Sequence, residues 1–248
     1  MRDERGGVTL TLTPPTGKPP TLDRDMLESF GAALDGLKTD PPRVLVVRSA
    51  EPKYFCVGAN IHVLQGLTDE NIGAWVERGH RVFNQLEDLP CPVVARVSGY
   101  AMGGGLELAL ACDVIFACRS AQLGLTEARL GFIPGWGGCR RLVQRVGIPR
   151  AKRLFFAGQA VGADHAYQLG LVDHVADDNQ LDDDLAGYLG DLLACSACAQ
   201  RTFKALVDGA VTCDRAHNAQ AEADHSRGCL QDPTTRGRLD EFLASRRR

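Results

Sequence analysis

The sequence lacks any apolar run long enough and uncharged enough to span a bilayer, which takes about 20 consecutive apolar residues, so no membrane partner is expected. It lacks a strong charge of either sign: 28 Lys and Arg against 31 Asp and Glu leave a net charge of −3. That gives no sign of the basic footprint of a nucleic-acid binder, and no nucleic-acid partner is expected. The first ten residues, MRDERGGVTL, have no apolar secretory core, and the expected location is cytoplasmic. There is no G-x-x-x-x-G-K-[ST] for a nucleoside triphosphate and no G-x-S-x-G for a hydrolase nucleophile. No exact repeat, low-complexity tract or clear linker divides the chain.

What is there is the composition of a globular chain. Its 248 residues are 44% hydrophobic and 24% charged, enough for a full core. The length suits one large α/β domain, or one domain with a helical appendage. The cysteines, Cys56, Cys91, Cys112, Cys118, Cys139, Cys195, Cys198, Cys213 and Cys229, are odd in number and lie mostly in apolar segments. That usage predicts reduced, buried thiols. Cys195 and Cys198 form a lone C-x-x-C in the helical context LLACSACAQRTF; without a second pair, a zinc or redox role is not expected. Arg246, Arg247 and Arg248 read as a solvated chain end.

GVTLTLT (7–13) alternates as a strand does, and RVLVVRS (43–49), PVVARVS (92–98) and VIFAC (114–118) are continuous apolar runs. Such runs suit parallel strands covered on both faces. After the proline-rich PPTGKPPT, Leu27, Phe30, Leu34 and Leu37 follow helical spacing, with Thr21 expected as N-cap and Asp23 and Asp25 in the first turn. EPKYFCVGANIH (51–62) reads as a loop. A longer helix is expected from Thr68, with Ile72, Trp75, Val76, Val82, Phe83 and Leu86 on one face and Pro90 at its end. A short strand is expected near residues 172–175, then mostly helix from about 178. Alternating β and α units predict an α/β fold.

The stretch YAMGGGLELALACDV runs from Tyr100 to Val114. Gly99, Gly103 and Gly105 after an apolar strand allow a dinucleotide-binding turn, but a lone pattern of this kind is weak. It lies mid-chain, and none of Tyr54, Tyr100, Tyr167 and Tyr188 has the lysine four residues on that short-chain dehydrogenase chemistry needs. A second reading is close helix–strand packing. A third uses the glutamate. Backbone N–H groups in a first helical turn have no intrahelical partner, glycine lets a ligand oxygen approach them, and the dipole favours negative charge there. That is half of an oxyanion hole, with Glu107 on the same side for proton transfer. A second carboxylate, Glu127, sits in LGLTEARLGFIPGWGG (123–138); alone it reads as a solvated loop residue.

These motifs resemble the crotonase family, the enoyl-CoA hydratase/isomerase group, over nearly the whole chain. YFCVGANI (54–61) is similar to the family's F-x-x-G-A-D-[IL] segment, and SGYAMGGGLELALACDVIFA (98–117) to N-G-x-A-x-G-G-G-x-E-L-A-x-x-C-D. FIPGWGGCRRL (132–142) resembles I-P-G-x-G-G-T-Q-R-L, and GLVDHV (170–175) and DEFLASR (240–246) fit later blocks. The resemblance implies a spiral of ββα units over residues 1–177. It implies a C-terminal helical region, residues 178–248, of the same structural unit and used in trimer contacts, giving a homotrimer or dimer of trimers. It implies an acyl-CoA thioester substrate, or one on an acyl carrier protein. Coenzyme A is then part of the substrate, with no metal or redox cofactor.

Carried over by motif, the backbone N–H groups of Ala59 and Gly104 form the oxyanion hole, and Gly103 and Gly105 keep the approach open. Glu107 matches the first hydratase glutamate and Glu127 the second, 127 − 107 = 20 residues on. Isomerases, thioesterases, decarboxylases and dehalogenases of the family commonly lack one or both, so hydration of a 2-enoyl thioester is favoured. Glu107 is the expected base toward water and Glu127 the acid toward C2. Gly58, Asn60, Ile61, His62, Gly103, Pro134 and Gly135 are expected at the substrate. Lys18 and the Pro20–Leu22 backbone are expected at the CoA moiety. Asn60 replaces the family aspartate, KPPTLD (18–23) an asparagine–alanine–leucine segment, GGCRRL the G-G-T-Q-R-L, and Arg236 a glutamate. His62 reads equally as a solvated loop histidine. These departures leave isomerisation, or dehydration of a branched carrier-bound acyl group, as the alternative reaction. A non-catalytic scaffold or RNA-binding role, and an NAD-dependent dehydrogenase, are less favoured.

Overall fold

The computed structural model describes residues 3–210 and, beyond them, residues 224, 226, 228, 229, 231, 232, 234, 235, 237 and 238. Cys213, Arg236, the DEFLASR block and the arginine tail lie outside the described residues. In chain order the elements are β1 (Gly7–Leu12), α1 (Arg24–Thr39), β2 (Val44–Ser49), β3 (Tyr54–Cys56), α2 (Ile61–Gln65), α3 (Ile72–Glu87), β4 (Val93–Val97), β5 (Tyr100–Met102) and α4 (Gly104–Leu110). Then come β6 (Val114–Cys118), β7 (Gln122–Gly124), a 3-10 turn (Glu127–Leu130), α5 (Gly138–Val146), α6 (Ile148–Ala157), β8 (Val161–Gly162), α7 (Ala163–Leu169), β9 (His174–Ala176), α8 (Leu181–Ala194) and α9 (Ala197–Ala210).

Two sheets share this chain. The larger has the order β1-β2-β4-β6-β9, parallel throughout, and the smaller has the order β3-β5-β7-β8. β3, β5 and β7 are parallel, and β8 closes that edge antiparallel. The chain visits the sheets in turn, β2 then β3, β4 then β5, β6 then β7, each pair followed by helix. This is the ββα spiral of a crotonase-like α/β fold.

The apolar runs form the larger sheet because each is long enough to be covered on both faces. Val44–Val47, Val93–Ala95 and Ile115–Ala117 are buried without a break. α1 buries Leu27, Phe30 and Leu34, and packs on α3, which buries Trp75, Val82, Phe83 and Leu86. α4 buries all seven of its residues; a helix apolar nearly all round belongs inside the core. α8 buries Leu181, Leu185 and Leu192 and lies against β6 and β9.

Several local expectations shift. Asp23, not Thr21, caps α1, its carboxylate accepting from the Met26 N–H at 2.9 Å. The helix expected from Thr68 starts at Ile72, because Asn71 instead turns its side chain back onto the Thr68 N–H. The loop at 51–62 holds β3 and the start of α2, and the strand near 172–175 falls at His174–Ala176. Cys56, Cys91, Cys112 and Cys118 are buried thiols, whereas Cys139 and Cys195 are exposed and Cys198 and Cys229 half-buried. Burial pushes the Cys56 and Cys112 thiols up to about 12, where they stay protonated and inert.

Candidate active site

The register of the small sheet assembles the site. Cys56 pairs with Ala101, and Met102 pairs with Gly124. The three parallel strands therefore end side by side, and their exits, residues 57–60, 103–107 and 125–127, lie next to one another. Carboxyl ends of parallel strands are where α/β sheets open a crevice. The Gly103 N–H donates to the Gly124 carbonyl at 2.8 Å, which ties the glycine run to the segment leading to Glu127.

Each glycine of the run has its own task. Gly103 takes φ 52°, ψ −124°, a backbone state that side chains rarely adopt, and turns the chain from β5 into α4. Gly105 lies so close to β3 that a Cβ there would collide with the Cys56 carbonyl. The packing reading thus applies to Gly105, which does not keep an approach open. Gly104 stands between them, and a Cβ on it would be 3.5 Å from the Ala59 nitrogen.

The Ala59 N–H faces the same way for a topological reason. Leu22 bridges Ala59 in parallel, its N–H donating to the Gly58 carbonyl and its carbonyl accepting from the Asn60 N–H, at 2.8 and 2.9 Å. In that pattern the Ala59 N–H points away from Leu22, toward Gly104. Neither the Ala59 nor the Gly104 N–H has a backbone acceptor among the described residues.

Glu107 is 2% exposed, in the first turn of α4. Its Oε1 accepts from the N–H groups of Trp136 and Gly138, both at 2.8 Å. Burial raises its pKa to about 7, against those two donors, and the charge of Glu127 adds to the rise. Glu127 opens the 3-10 turn and is half-buried. Neither of its carboxylate oxygens has a partner from another described residue, and burial raises its pKa as well. A Cβ on Gly103 would be 3.1 Å from Glu127 Oε1. The site thus holds two carboxyl groups, one fixed by backbone donors and one without them, beside two backbone N–H groups that have no backbone acceptor among the described residues.

These groups open into a cavity of about 890 Å³. Of the residues expected at the substrate, Lys18, Gly58, Ala59, Asn60, Ile61, His62, Gly103, Gly104, Pro134 and Gly135 line it with Glu107 and Glu127. Pro20 and Leu22 do not. The Pro20 carbonyl accepts from the Val57 N–H, and both Leu22 backbone groups are used in the bridge to residues 58–60. Of that stretch Thr21 lines the cavity, together with Pro19 before it. Asn60 caps α2, accepting from the His62 N–H at 3.0 Å, and His62 is exposed on that helix at the cavity wall.

The sequence reading missed Trp75, His80, Phe132, Trp136 and Arg140 at the wall and Arg141 behind it. Trp136 had a readable signal: a lone indole among five glycines and prolines. Arg141 had none, because an arginine on an amphipathic helix reads as solvated. It is 2% exposed and donates to the Trp136 carbonyl, the Asn84 side chain and Glu87 at 2.8, 2.7 and 2.7 Å. It therefore pins the segment carrying both Glu107 donors to α3. Burial pushes the Glu87 carboxyl up, but Arg141 and Arg140 outweigh this and hold it below its ordinary value.

The fold and sequence resemble those of known proteins. A solved enoyl-CoA hydratase from Bacillus anthracis superposes with a TM-score of 0.90 at 29% identity, covering 96% of this chain and 93% of that one. The crotonyl-CoA hydratase of Syntrophomonas wolfei is 31% identical over 227 residues, 91% of this chain and 87% of the relative. The mitochondrial methylglutaconyl-CoA hydratase of Rattus norvegicus is 38% identical over 179 residues, 72% of this chain. The chain spans only about half the length of the rat, mouse and human forms of that relative, 56%, 57% and 52%. A profile described as enoyl-CoA hydratase/isomerase matches residues 4–244. With the match running almost end to end, and the ββα spiral beneath it, the chain belongs to the enoyl-CoA hydratase/isomerase family of the crotonase superfamily.

Proposed function

We propose that this protein is an enoyl-CoA hydratase, adding water reversibly and syn across the C2=C3 bond of a 2-enoyl thioester. The observation that carries the reading is the pair Glu107 and Glu127 in one cavity with Ala59 and Gly104, whose N–H groups have no backbone acceptor among the described residues. Ala59 and Gly104 donate to the thioester oxygen, where enolate charge builds as hydroxide adds to C3; such preorganised donors act most strongly on charge that develops in the transition state. Glu107 takes the proton from water as the C3–O bond forms. Glu127 gives its proton to C2 as the enolate collapses to the carbonyl. The two carboxyl groups exchange protonation states, and a proton passed back between them or through water restores the resting enzyme.

The two carboxyl environments differ. Two backbone donors favour the charged form of Glu107, but burial outweighs them and raises its pKa to about 7, so it serves as base once ionised. Glu127 has no such donors and is also raised by burial, which favours its protonated form. The step needs only the thioester, water and these groups, with coenzyme A as part of the substrate. The associated reading of assembly is a homotrimer or dimer of trimers. Phe156 and Phe203, 75% and 69% exposed, are apolar surface that such contacts would cover, and sedimentation velocity tests it.

The direct test of activity is loss of enoyl-thioester absorbance with crotonyl-CoA. Turnover is expected in the wild type and is expected to fall by orders of magnitude in Glu127→Gln. Positional isomerisation of the double bond without hydration, or turnover only of carrier-linked substrates, would replace this reading with the other family reactions.

A further inference from the structure

Positions 79, 104 and 136 are fitted to one another. The Trp136 ring is 2% exposed and is wedged between α3 and α4. A Cβ on Gly79 of α3 would run into its Cδ1, and a Cβ on Gly104 of α4 would stand 2.5 Å from its Cζ3. Both helices thus carry glycine where the indole passes. The ring meets Trp75 and Phe83 edge-on, with centroids 5.0 and 5.6 Å away. Its N–H reaches toward the Trp75 carbonyl at 3.4 Å, and Arg141 holds its backbone carbonyl at 2.8 Å. A side chain fixed on every side cannot swing aside for a ligand.

The indole also lies next to Gly104 and Glu107 at the cavity wall. Its backbone N–H bonds Glu107, its ring abuts Gly104, and both Trp136 and Trp75 form cavity wall. On the hydratase reading, a thioester oxygen held by Gly104 would set C1 close to that ring, and the next carbons of the acyl chain are expected along the indole.

We infer that Trp136 determines acyl-group specificity: its indole fills the space beside C3 and C4 of the bound thioester and confines the site to short acyl groups. This rests on the hydratase reading of the same cavity. A rigid wall discriminates by excluding methylenes that a roomier pocket would take in.

The test compares kcat/KM for four-, six-, eight- and ten-carbon 2-enoyl-CoA thioesters in the wild type, Trp136→Ala and Trp136→Phe. Isothermal titration of the matching saturated acyl-CoAs accompanies it. In the wild type, kcat/KM is expected to fall by about tenfold or more between four and eight carbons. Trp136→Ala is expected to raise the eight-to-four-carbon ratio by about tenfold, with Trp136→Phe shifting it less in the same direction. Trp136→Phe carries the test if Trp136→Ala fails to give a cooperative melt. An unchanged ratio in the folded variants, or a wild type indifferent to length, overturns the inference. So does an equal loss at every length, which would make Trp136 only a support for Glu107. Absence of turnover in the wild type, with length-ordered binding that Trp136→Ala abolishes, would sink the hydratase reading and leave the inference standing.

Discussion

Strands β2, β4 and β6 alternate along the chain with β3, β5 and β7, but the two sets differ in what they contribute. The first set is five or six residues per strand, rich in valine and buried on both faces. The second is three residues per strand, too short to make much core. Its value lies in register: pairing Cys56 with Ala101 and Met102 with Gly124 brings Ala59, Gly104 and Glu127 together. The large sheet supplies stability, and the small sheet supplies aim. If that division is right, substitutions in the two regions separate activity from stability.

The largest expected effects are on activity, at the exits of the small sheet. Glu107→Gln and Glu127→Gln are each expected to lower kcat by about 10² to 10⁴, the usual worth of a positioned general acid or base, as steady-state kinetics with crotonyl-CoA would show. Wild-type kcat/KM is expected to rise with pH through about 7 as Glu107 ionises, and Glu107→Gln is expected to abolish that limb. Next comes the large sheet. Leu45, fully buried in β2, is expected to cost about 2–5 kcal/mol on truncation to alanine, with kcat unchanged well below the melting point. Denaturant unfolding measures the first quantity. A Leu45→Ala variant that kept its stability but lost its turnover would break the division.

The same division explains what was legible in the sequence. The runs at 43–49, 92–98 and 114–118 are visible because a strand buried on both faces writes its environment into every residue. β3, β5 and β7 are not visible, since three residues carry no period and their pairing joins segments more than 20 positions apart. Glu107, Glu127, Ala59 and Gly104 were found by their motifs, while their juxtaposition needed the register. Thr21 was misread as the helix cap because a threonine before an acidic first turn looks like one, and the pairing of Leu22 with residues 58–60 holds that stretch extended for two residues more. Arg141 stayed hidden because its partners, Glu87 and Asn84, come from a helix some 55 positions earlier.

A smaller effect sharpens the comparison at Glu107 itself. Its folded pKa, about 7, lies above that of an unfolded glutamate, so folding disfavours the ionised form. The native state is then most stable below about pH 4.5 with respect to this group and loses stability as pH rises through about 7, by about 3 kcal/mol once ionisation is complete. A glutamine keeps an oxygen for the Trp136 and Gly138 donors and carries no charge. Glu107→Gln is therefore expected to be more stable than the wild type at pH 8–9, with the gap shrunk to under about 1 kcal/mol at pH 5, by chemical denaturation at both pH values. The site would be a place where function lowers stability. Equal stability at pH 8–9 would mean the carboxylate is better solvated than its burial implies.

The smallest expected effect lies on the border between the regions. Asp23 caps α1 through the Met26 N–H, and the residue before it, Leu22, holds the loop that carries the Ala59 N–H. Removing the cap in Asp23→Ala is expected to cost about 1 kcal/mol, or about 2–4 °C in Tm for a chain of this size. The bridge to Ala59 is made by Leu22 backbone atoms and not by the Asp23 side chain, so KM and kcat for crotonyl-CoA are expected to stay put. If KM rises along with the fall in Tm, the start of α1 sets the position of the Ala59 donor as well as the stability of its own helix. The boundary between the stabilising layer and the aiming layer would then run through α1 rather than between the sheets.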